Sequence, residues 1–200
     1  MKRKWLKHSL STVLIVLLVG AWTWRYVTMN QYYDDLDNGN YRLYRSGEFV
    51  PFEDDGLDIE TDLNGYHVRV DRFEIKSTAE CLTEWGVNAN VDNFTAQKMA
   101  LVYITLKNEN CDPNPVKLTA MLLRGEDCTA PIQFDLLTAA NPVLQGYTQI
   151  ALDAGKECQI VLPYGLMRTV FSAHTWEHID EETFYLSVTS TLTQKEIRVA

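Results

Sequence analysis

The chain has 200 residues, of which 46% are hydrophobic and 22% charged, and its formal net charge at pH 7 is −9. All 27 acidic residues follow Arg25, whereas five of the 18 basic residues lie at or before it, so the part after Arg25 has a net charge of −14. Such a field repels nucleic acid and anionic lipid headgroups. We therefore exclude a nucleic-acid partner and attribute the acidic excess to solubility.

The N-terminal segment has the pattern of a membrane anchor. Four basic residues precede a stretch without formal charge, residues 9–24, and one follows it. As a helix this stretch spans about 24 Å, slightly less than a bilayer core of about 30 Å, and flanking basic side chains can reach the interface. Trp5 and Trp22 lie at its two ends, where indoles suit the membrane interfaces. Residues 1–26 are predicted to be a basic segment and single-pass transmembrane signal-anchor, with the N-terminus cytoplasmic and the C-terminal domain extracytoplasmic.

The same segment also fits a cleaved secretory signal peptide, because residues 10–20 form an apolar core and residues 19–21 are an acceptable cleavage tripeptide. The bulky Trp22 beyond them favours the uncleaved anchor. A lipoprotein is excluded, because lipid attachment needs a cysteine directly after the apolar core and the first cysteine is Cys81. Both remaining interpretations place the chain outside the cytoplasm.

Four cysteines lie in the exported part, namely Cys81, Cys111, Cys128 and Cys158. In an oxidising compartment an even number is consistent with two disulfides. We predict at least one, with Cys81–Cys128 and Cys111–Cys158 preferred from the expected strand directions. Free buried thiols are the alternative. No two cysteines have the spacing of a structural zinc site.

Residues 27–62 are predicted to be an acidic extracytoplasmic linker. The segment 53–62 holds six carboxylates in ten residues, which suggests a calcium loop. The spacing argues against it, because an EF-hand loop alternates its ligands around a fixed glycine and closes with a glutamate at position 12. A solvated, self-repelling spacer is the better interpretation.

From residue 63 onward the pattern is that of an all-β domain over 63–200. Residues 66–70 alternate apolar and polar side chains, and the alternation continues to Ile75 with an expected bulge at 71–72. Ser77 and Glu80 are spaced as a capping box, which predicts one short helix over residues 78–85.

The rest of the domain reads as further strands separated by turns. Residues 100–106 are apolar at nearly every position and predict a central strand covered on both faces, and residues 116–123 predict the next strand. Later strands are expected at 147–152, 158–162, 184–192 and 197–199, with a hairpin turn at 153–156. Short strands at regular spacing predict an antiparallel β-sandwich.

Residues 64–70, the helix over 80–86 and residues 101–109 together resemble the immunoglobulin-like domains of uncharacterised membrane-anchored proteins of Gram-positive bacteria. Residues 162–166 and 184–188 extend the resemblance to about two-thirds of the chain. It implies an immunoglobulin-like β-sandwich with one short helix, preceded by a transmembrane helix. The resembled domains have no known function, so the resemblance supplies no catalytic residue.

One motif suggests metal chemistry. His174, Glu177 and His178 satisfy the H-x-x-E-H pattern of inverted zinc peptidases, in which two histidines one helical turn apart hold zinc and the glutamate acts as base. A third protein ligand is required, and the 22 residues after His178 read mainly as strand. We therefore expect no catalytic, cofactor-binding or metal-binding residue here, and we expect Trp176 to pack inward.

Two functions follow from the sequence. The first is a non-enzymatic, membrane-tethered extracytoplasmic module that binds an envelope protein or a cell-wall component. The second is a metal-dependent hydrolase centred on His174, Glu177 and His178. The first is favoured, because a sandwich fold alone implies no chemistry.

Overall fold

The structure, a computed structural model, describes residues 18–25, 41–53, 62–126, 128–189 and 193–199. The chain divides into two compact units, Met1–Tyr41 and Arg42–Ala200. In the first unit residues 18–25 are helical. Most of the predicted membrane anchor and most of the predicted linker lie outside the described residues. Within the described part, no helix has both the length and the apolar character needed to span a membrane.

The second unit is built mainly of β-strands. Its sheets have the strand orders β1-β11-β10-β6-β7, β2-β3-β4-β9 and β5-β8, and every pair with a described register is antiparallel. The strands are β1 (Tyr41–Arg45), β2 (Val50–Pro51), β3 (Tyr66–Ser77), β4 (Lys98–Asn108), β5 (Val116–Lys117), β6 (Leu122–Arg124), β7 (Thr129–Ala130), β8 (Gln149–Ile150), β9 (Glu157–Leu166), β10 (Tyr185–Thr189) and β11 (Gln194–Arg198). This architecture is consistent with the predicted β-sandwich.

The described part of this unit contains three short α-helices rather than the one that the sequence predicted. They are α1 (Thr78–Glu84), α2 (Phe134–Ala140) and α3 (Ala173–Glu177). Helix α1 was predicted, and α3 contains Trp176, whose inward packing was expected. Helix α2 was missed because its N-cap residue, Gln133, makes no side-chain capping hydrogen bond, so no start signal marks it.

The capping box at the start of α1 is confirmed. The Glu80 amide donates to Ser77 Oγ at 3.2 Å, and the Ser77 amide donates to Glu80 Oε2 at 2.8 Å. Hydrogen bonding to Ser77 holds the pKa of the Glu80 carboxyl below its usual value. Two backbone donors at the helix start are thereby satisfied by side chains.

Substitution Ser77→Ala is expected to lower the free energy of unfolding by about 1 kcal/mol, because the first turn of α1 loses its capping acceptor. Urea denaturation of the full-length chain measures this loss. The matched variant Ser77→Thr keeps a hydroxyl at the same position and should cost less than about 0.5 kcal/mol. Equal losses for the two variants would show that the cap contributes nothing.

Strands β3 and β4, which the sequence predicted separately, form a long antiparallel pair. Their register shifts between Val70 and Arg72, which places a bulge at Asp71 as expected. Strand β4 lies between β3 and β9. Its residues 100, 102, 104 and 106 enter the main core, and Met99 and Leu101 join a second apolar cluster on the opposite face with Cys81 of α1. Helix α1 therefore covers one end of the sheet's outer face.

The predicted strand over 116–123 is divided in the structure. Its first part is β5, which pairs with β8, and its last part is β6, which pairs with β7 and β10. A single 3-10 turn over Leu118–Ala120 joins them. The predicted hairpin at 153–156 is also absent, since β8 pairs with β5 and not with the following strand β9. Short-range periodicity cannot reveal that one apolar run crosses between sheets.

Residues 41–53, which the sequence assigned to the linker, contribute strands β1 and β2 to the two large sheets. Val50 and Phe52 are fully buried. The ammonium group of Lys195, on β11, donates to the carbonyl oxygens of Pro51 at 2.9 Å and Phe52 at 3.2 Å, and it lies 2.6 Å from Glu53 Oε2. The domain therefore begins before residue 63, because these contacts hold the segment to the core.

Asn108, in the segment 101–109 that contributes to the resemblance, has a structural role. Asn108 is fully buried at the end of β4. Its amide nitrogen donates to the carbonyl oxygens of Leu152 at 2.7 Å and Cys111 at 2.9 Å, and its amide oxygen accepts from the Cys111 backbone amide at 2.9 Å. The hydroxyl of Tyr66 also bonds both backbone groups of Leu152. Asn108 thus joins the loop after β4, at Cys111, to the loop before β9, at Leu152.

Candidate binding groove and the histidine segment

At the end that α1 does not cover, the outer face of the four-stranded sheet carries mainly polar and aromatic side chains. Alternate residues of β4, namely Tyr103, Thr105 and Lys107, point to this face opposite the core positions. From β3 the outward residues at the same end are Arg69 and Arg72, which pair with Thr105 and Tyr103. Polar and aromatic side chains therefore share one surface.

A groove of about 530 Å³ crosses this surface from the bulge in β3 to strand β9. Sites for small ligands commonly fall between about 300 and 1,000 Å³. Its lining residues are Asp71, Arg72, Tyr103, Ile104, Ala140, Asn141, Pro142, Val143, Gln159, Ile160 and Val161. One wall is therefore charged and aromatic, and the other, after α2, is mainly apolar.

Arg72 forms the charged rim of the groove. Its guanidinium carbon lies 3.8 Å from the centre of the Tyr103 ring, a stacking distance, and its side chain is 58% exposed. The nearest carboxylate oxygen, Glu74 Oε1, is 3.6 Å from Arg72 Nη2. Stacking on an aromatic ring fixes the plane of a guanidinium while leaving its donors accessible.

The acidic groups beside Arg72 are already bonded. Asp71 accepts from Arg69 Nε at 2.6 Å and from Thr105 Oγ1 at 2.5 Å, one bond to each carboxylate oxygen. Glu74 accepts from the Tyr103 hydroxyl and lies 3.2 Å from Lys76 Nζ. The bulge places Asp71 where both bonds can form, as bulges commonly redirect side chains at sites.

The pKa values around Glu74 reflect these bonds. Burial first, and then the bond to the Glu74 carboxylate, raise the pKa of the Tyr103 hydroxyl to about 12. For Glu74 itself burial acts to raise the pKa, but the bonds from Tyr103 and Lys76 outweigh burial and lower it. The bond to Glu84 raises the pKa of Lys76. Tyr103 is thus a neutral donor held by a charged acceptor.

We expect Tyr103 to titrate with a pKa of about 12, against about 10 for an ordinary tyrosine. The measurement is a ring-carbon NMR titration of the full-length chain, with the Tyr103 signal assigned from Tyr103→Phe. Glu74→Gln should lower this pKa, because the charged acceptor is removed while burial remains. Glu109→Gln, a carboxylate that instead pairs with Lys107, is the control and should leave it unchanged. An unchanged pKa in Glu74→Gln would contradict this assignment.

Asn141 closes the β9 side of the groove. Its amide oxygen accepts from the Val161 backbone amide, and its amide nitrogen donates to the Val161 and Leu137 carbonyl oxygens, all at 2.7 Å. One side chain thereby satisfies both backbone groups of an edge-strand residue, as a neighbouring strand would. It also fixes the turn at Pro142–Leu144, where Val143 is 53% exposed.

The H-x-x-E-H motif lies on α3. His174 and His178 are both exposed, their ring centres are 4.7 Å apart, and His178 Nδ1 is 3.0 Å from the His174 carbonyl oxygen. No group of three histidine, cysteine, aspartate or glutamate side chains suited to a metal ion occurs in the described ranges. Trp176 is buried, as expected, and packs on Phe171 with ring centres 5.9 Å apart.

A smaller pocket of about 150 Å³ lies beside the start of α3. It is lined by Cys128, the β6–β7 turn and residues around Ser172, together with Glu182 and Phe184. Neither His174 nor His178 lines it. The Cys128 thiol and the two histidines therefore do not line one pocket. They are not placed to act together as a nucleophile and its base.

The two predicted disulfides, Cys81–Cys128 and Cys111–Cys158, are not formed in the structure. Cys81 is fully buried in the outer cluster, and Cys128 packs against the main core. The four-stranded sheet thus separates the preferred first pair. Burial raises the pKa of the Cys81 thiol to about 11, and it also raises the pKa values of Cys111 and Cys158. These environments disfavour the reactive thiolate.

Sequence reasoning assigned no site residue, and it missed the groove. The bulge at 71–72 was the one usable signal, because bulges are frequent beside functional sites. Asn141 and Val143 carried no signal, since the helix that precedes them was not predicted. Gln159 was read only as part of a strand.

Residues 41–195 match a protein family described as a domain of unknown function, DUF5028. The chain belongs to the DUF5028 family. Its family match includes β1 and β2, in agreement with their place in the sheets. No curated protein matches the sequence. Among solved structures, the yjhA protein from Bacillus subtilis is similar over 78% of this chain and 99% of its own, with 9% identity and a TM-score of 0.41.

Proposed function

We propose that this DUF5028 chain is a non-enzymatic, extracytoplasmic module that is tethered to the cell membrane of a Gram-positive bacterium. It binds an envelope protein or a cell-wall component through the groove on the outer face of the four-stranded sheet. The observation that carries the proposal is this groove, in which a stacked, exposed arginine faces an exposed apolar wall. Such a combination suits recognition rather than bond making.

The strand order supports an immunoglobulin-like form of the sandwich. In that fold, strands A, B and E are consecutive neighbours in one sheet, and strands C, F and G are neighbours in the other. Here β3, β4 and β9 are neighbours in one sheet and β6, β10 and β11 in the other. Taken in chain order, these six strands correspond to A, B, C, E, F and G.

The membrane tether is supported by the basic residues before the uncharged stretch 9–24. Residues 18–25 are helical, and Trp22 and Trp24 are 68% and 74% exposed. Exposed indoles at the outer end of a span suit the membrane interface. The N-terminus lies in the cytoplasm and the domain outside, joined by one crossing of the membrane.

Cell fractionation tests the tether. The chain should remain with membranes after a carbonate wash, and external protease should degrade the domain in cells whose walls have been removed. N-terminal sequencing should find Trp5 retained. Release of the chain by carbonate, or protection of the domain from external protease, would contradict the proposed location.

Site-specific crosslinking tests the binding role of the groove. A photo-reactive side chain in place of Val143 should give a discrete adduct in intact cells, since Val143 lines the groove. The control position is Val170, which is similarly exposed at 47% and lies outside the groove. Arg72→Glu should abolish the Val143 adduct by reversing the charge at the rim. Equal adducts at both positions, or an adduct indifferent to Arg72→Glu, would refute the proposal.

A further inference from the structure

We propose that the groove binds the terminal carboxylate of a short peptide, with Arg72 as its anchor and the wall at Pro142 and Val143 receiving the apolar side chains beside it. This inference rests on the proposed function and names the ligand class of the same groove. It depends on which polar groups of the groove are still able to form hydrogen bonds, on the local charge, and on the apolar wall.

Arg72 retains open donors. Among the described residues its guanidinium forms one long ion pair, 3.6 Å to Glu74, and stacks on Tyr103, and it makes no hydrogen bond. The Glu74 oxygen nearest Arg72, Oε1, already accepts from the Tyr103 hydroxyl and lies 3.2 Å from Lys76 Nζ. A planar guanidinium with accessible donors matches a carboxylate through two parallel hydrogen bonds.

Gln159 is a second side chain of the groove that can still donate hydrogen bonds to a ligand. Asp71 and Asn141 are engaged by the protein itself. The side-chain amide of Gln159, by contrast, is exposed and has no partner in the described part of the chain. It can donate to a peptide carbonyl while Arg72 holds the carboxylate.

The local charge beside the groove is balanced, even though the exported part is strongly acidic. The outward basic side chains of β3 and β4 are Arg69, Arg72, Lys76 and Lys107. Three of them have a carboxylate oxygen within 3 Å, and the partners are Asp71, Glu84 and Glu109. Arg72 differs, because its carboxylate partner, Glu74, is 3.6 Å away. It is therefore the cation of this face that is best placed to pair with an anionic ligand.

The apolar wall explains why the ligand carries more than a carboxylate. Val143 is 53% exposed and its turn is fixed by the three bonds of Asn141. A preformed apolar surface beside a cation suits small aliphatic side chains next to a chain end. A free anion such as acetate would leave this wall uncovered.

The test is an NMR titration of the full-length chain in detergent with acetyl-alanyl-alanine. The free acid should shift the Arg72 Nε–H, Gln159 amide and Val143 methyl signals in a saturable manner, whereas the peptide with an amidated C-terminus should bind at least tenfold more weakly. Peptides of L- and D-alanine are compared in parallel. Preference for L points to the end of a protein chain, and preference for D points to a cell-wall peptide; either supports carboxylate recognition.

Variants separate the anchor from general charge effects. Arg72→Gln should weaken binding of the free acid at least tenfold, and Arg72→Lys should weaken it less, since lysine keeps the charge but lacks the two-pronged geometry. Arg168→Gln, an exposed arginine outside the groove, should leave binding unchanged. Dispersed NMR spectra of each variant verify folding.

Equal binding of the free-acid peptide and the amidated peptide would overturn the carboxylate proposal. So would chemical-shift changes at residues outside the groove in place of those inside it. If the Val143 adduct in cells persists in that case, only the ligand class is wrong. If that adduct is absent as well, the groove is not the binding surface. The two failures are therefore distinguishable.

Discussion

Replacing Trp176 by alanine is expected to lower the free energy of unfolding by about 3–5 kcal/mol, the usual cost of removing a buried indole. Trp176 is 9% exposed and belongs to the main core cluster. Its ring packs on Phe171, and Lys98 Nζ lies 5.4 Å from the ring centre. The variant loses the apolar burial, the aromatic contact and this cation contact together. Urea denaturation of the full-length chain measures the loss.

The flanking histidines are the matched controls, because they lie on the same short helix and are exposed. His174→Ala and His178→Ala should each change stability by less than about 1 kcal/mol. A small loss in Trp176→Ala would show that the ring is not a core residue. Stoichiometric zinc that both histidine substitutions abolish would instead restore the hydrolase hypothesis for the H-x-x-E-H motif.

The parts of the fold that the sequence predicted correctly depend on local signals. The alternation over 66–70 places one face of β3 in the core, and the apolar run at 100–106 gives the central strand β4. The pair Ser77 and Glu80 is a complete capping box within four residues. In each case the pattern and the interactions that stabilise it lie in the same short segment.

The errors depend on contacts between distant segments. Residues 41–53 look like a polar linker, yet Lys195 holds them to β11, more than 140 positions away along the chain. The run 116–123 is mainly apolar and gives no sign that its two ends join different sheets. The disulfide prediction used strand directions alone, whereas Cys81 and Cys128 lie on opposite sides of a sheet.

The groove could not be predicted for the same reason. It combines the bulge of β3, the outward face of β4, the edge of β9 and the turn after α2. The stacking of Arg72 on Tyr103 requires the register shift at Asp71, which moves the pairing by one residue. The position of the bulge is visible in the sequence. That Tyr103 lies opposite Arg72 follows only from the register of β3 and β4.

Replacing Lys195 by methionine is expected to lower the free energy of unfolding by about 3 kcal/mol. The ammonium group is fully buried and donates to Pro51, Phe52 and Glu53. Hydrogen bonds to charged groups contribute about 1.5–3 kcal/mol, and a buried carbonyl that loses its donor costs about 1–3 kcal/mol. Methionine retains most of the apolar packing, so the decrease in the free energy of unfolding measures what the hydrogen bonds of the Lys195 ammonium group contribute.

The contact also fixes an unusual backbone conformation. Glu53 has a φ of 53°, in the left-handed region, which costs an ordinary residue about 1–2 kcal/mol. Without Lys195 this conformation loses its closer ion pair and keeps only the longer one, 3.8 Å to Arg42. Hydrogen exchange should therefore accelerate at residues 50–53 before the central strand pair β3–β4 is affected. Lys156→Met, at an exposed turn, is the control and should cost less than about 0.5 kcal/mol. A loss in Lys195→Met no larger than in this control, with unchanged exchange at residues 50–53, would show that the buried lysine does not hold the segment.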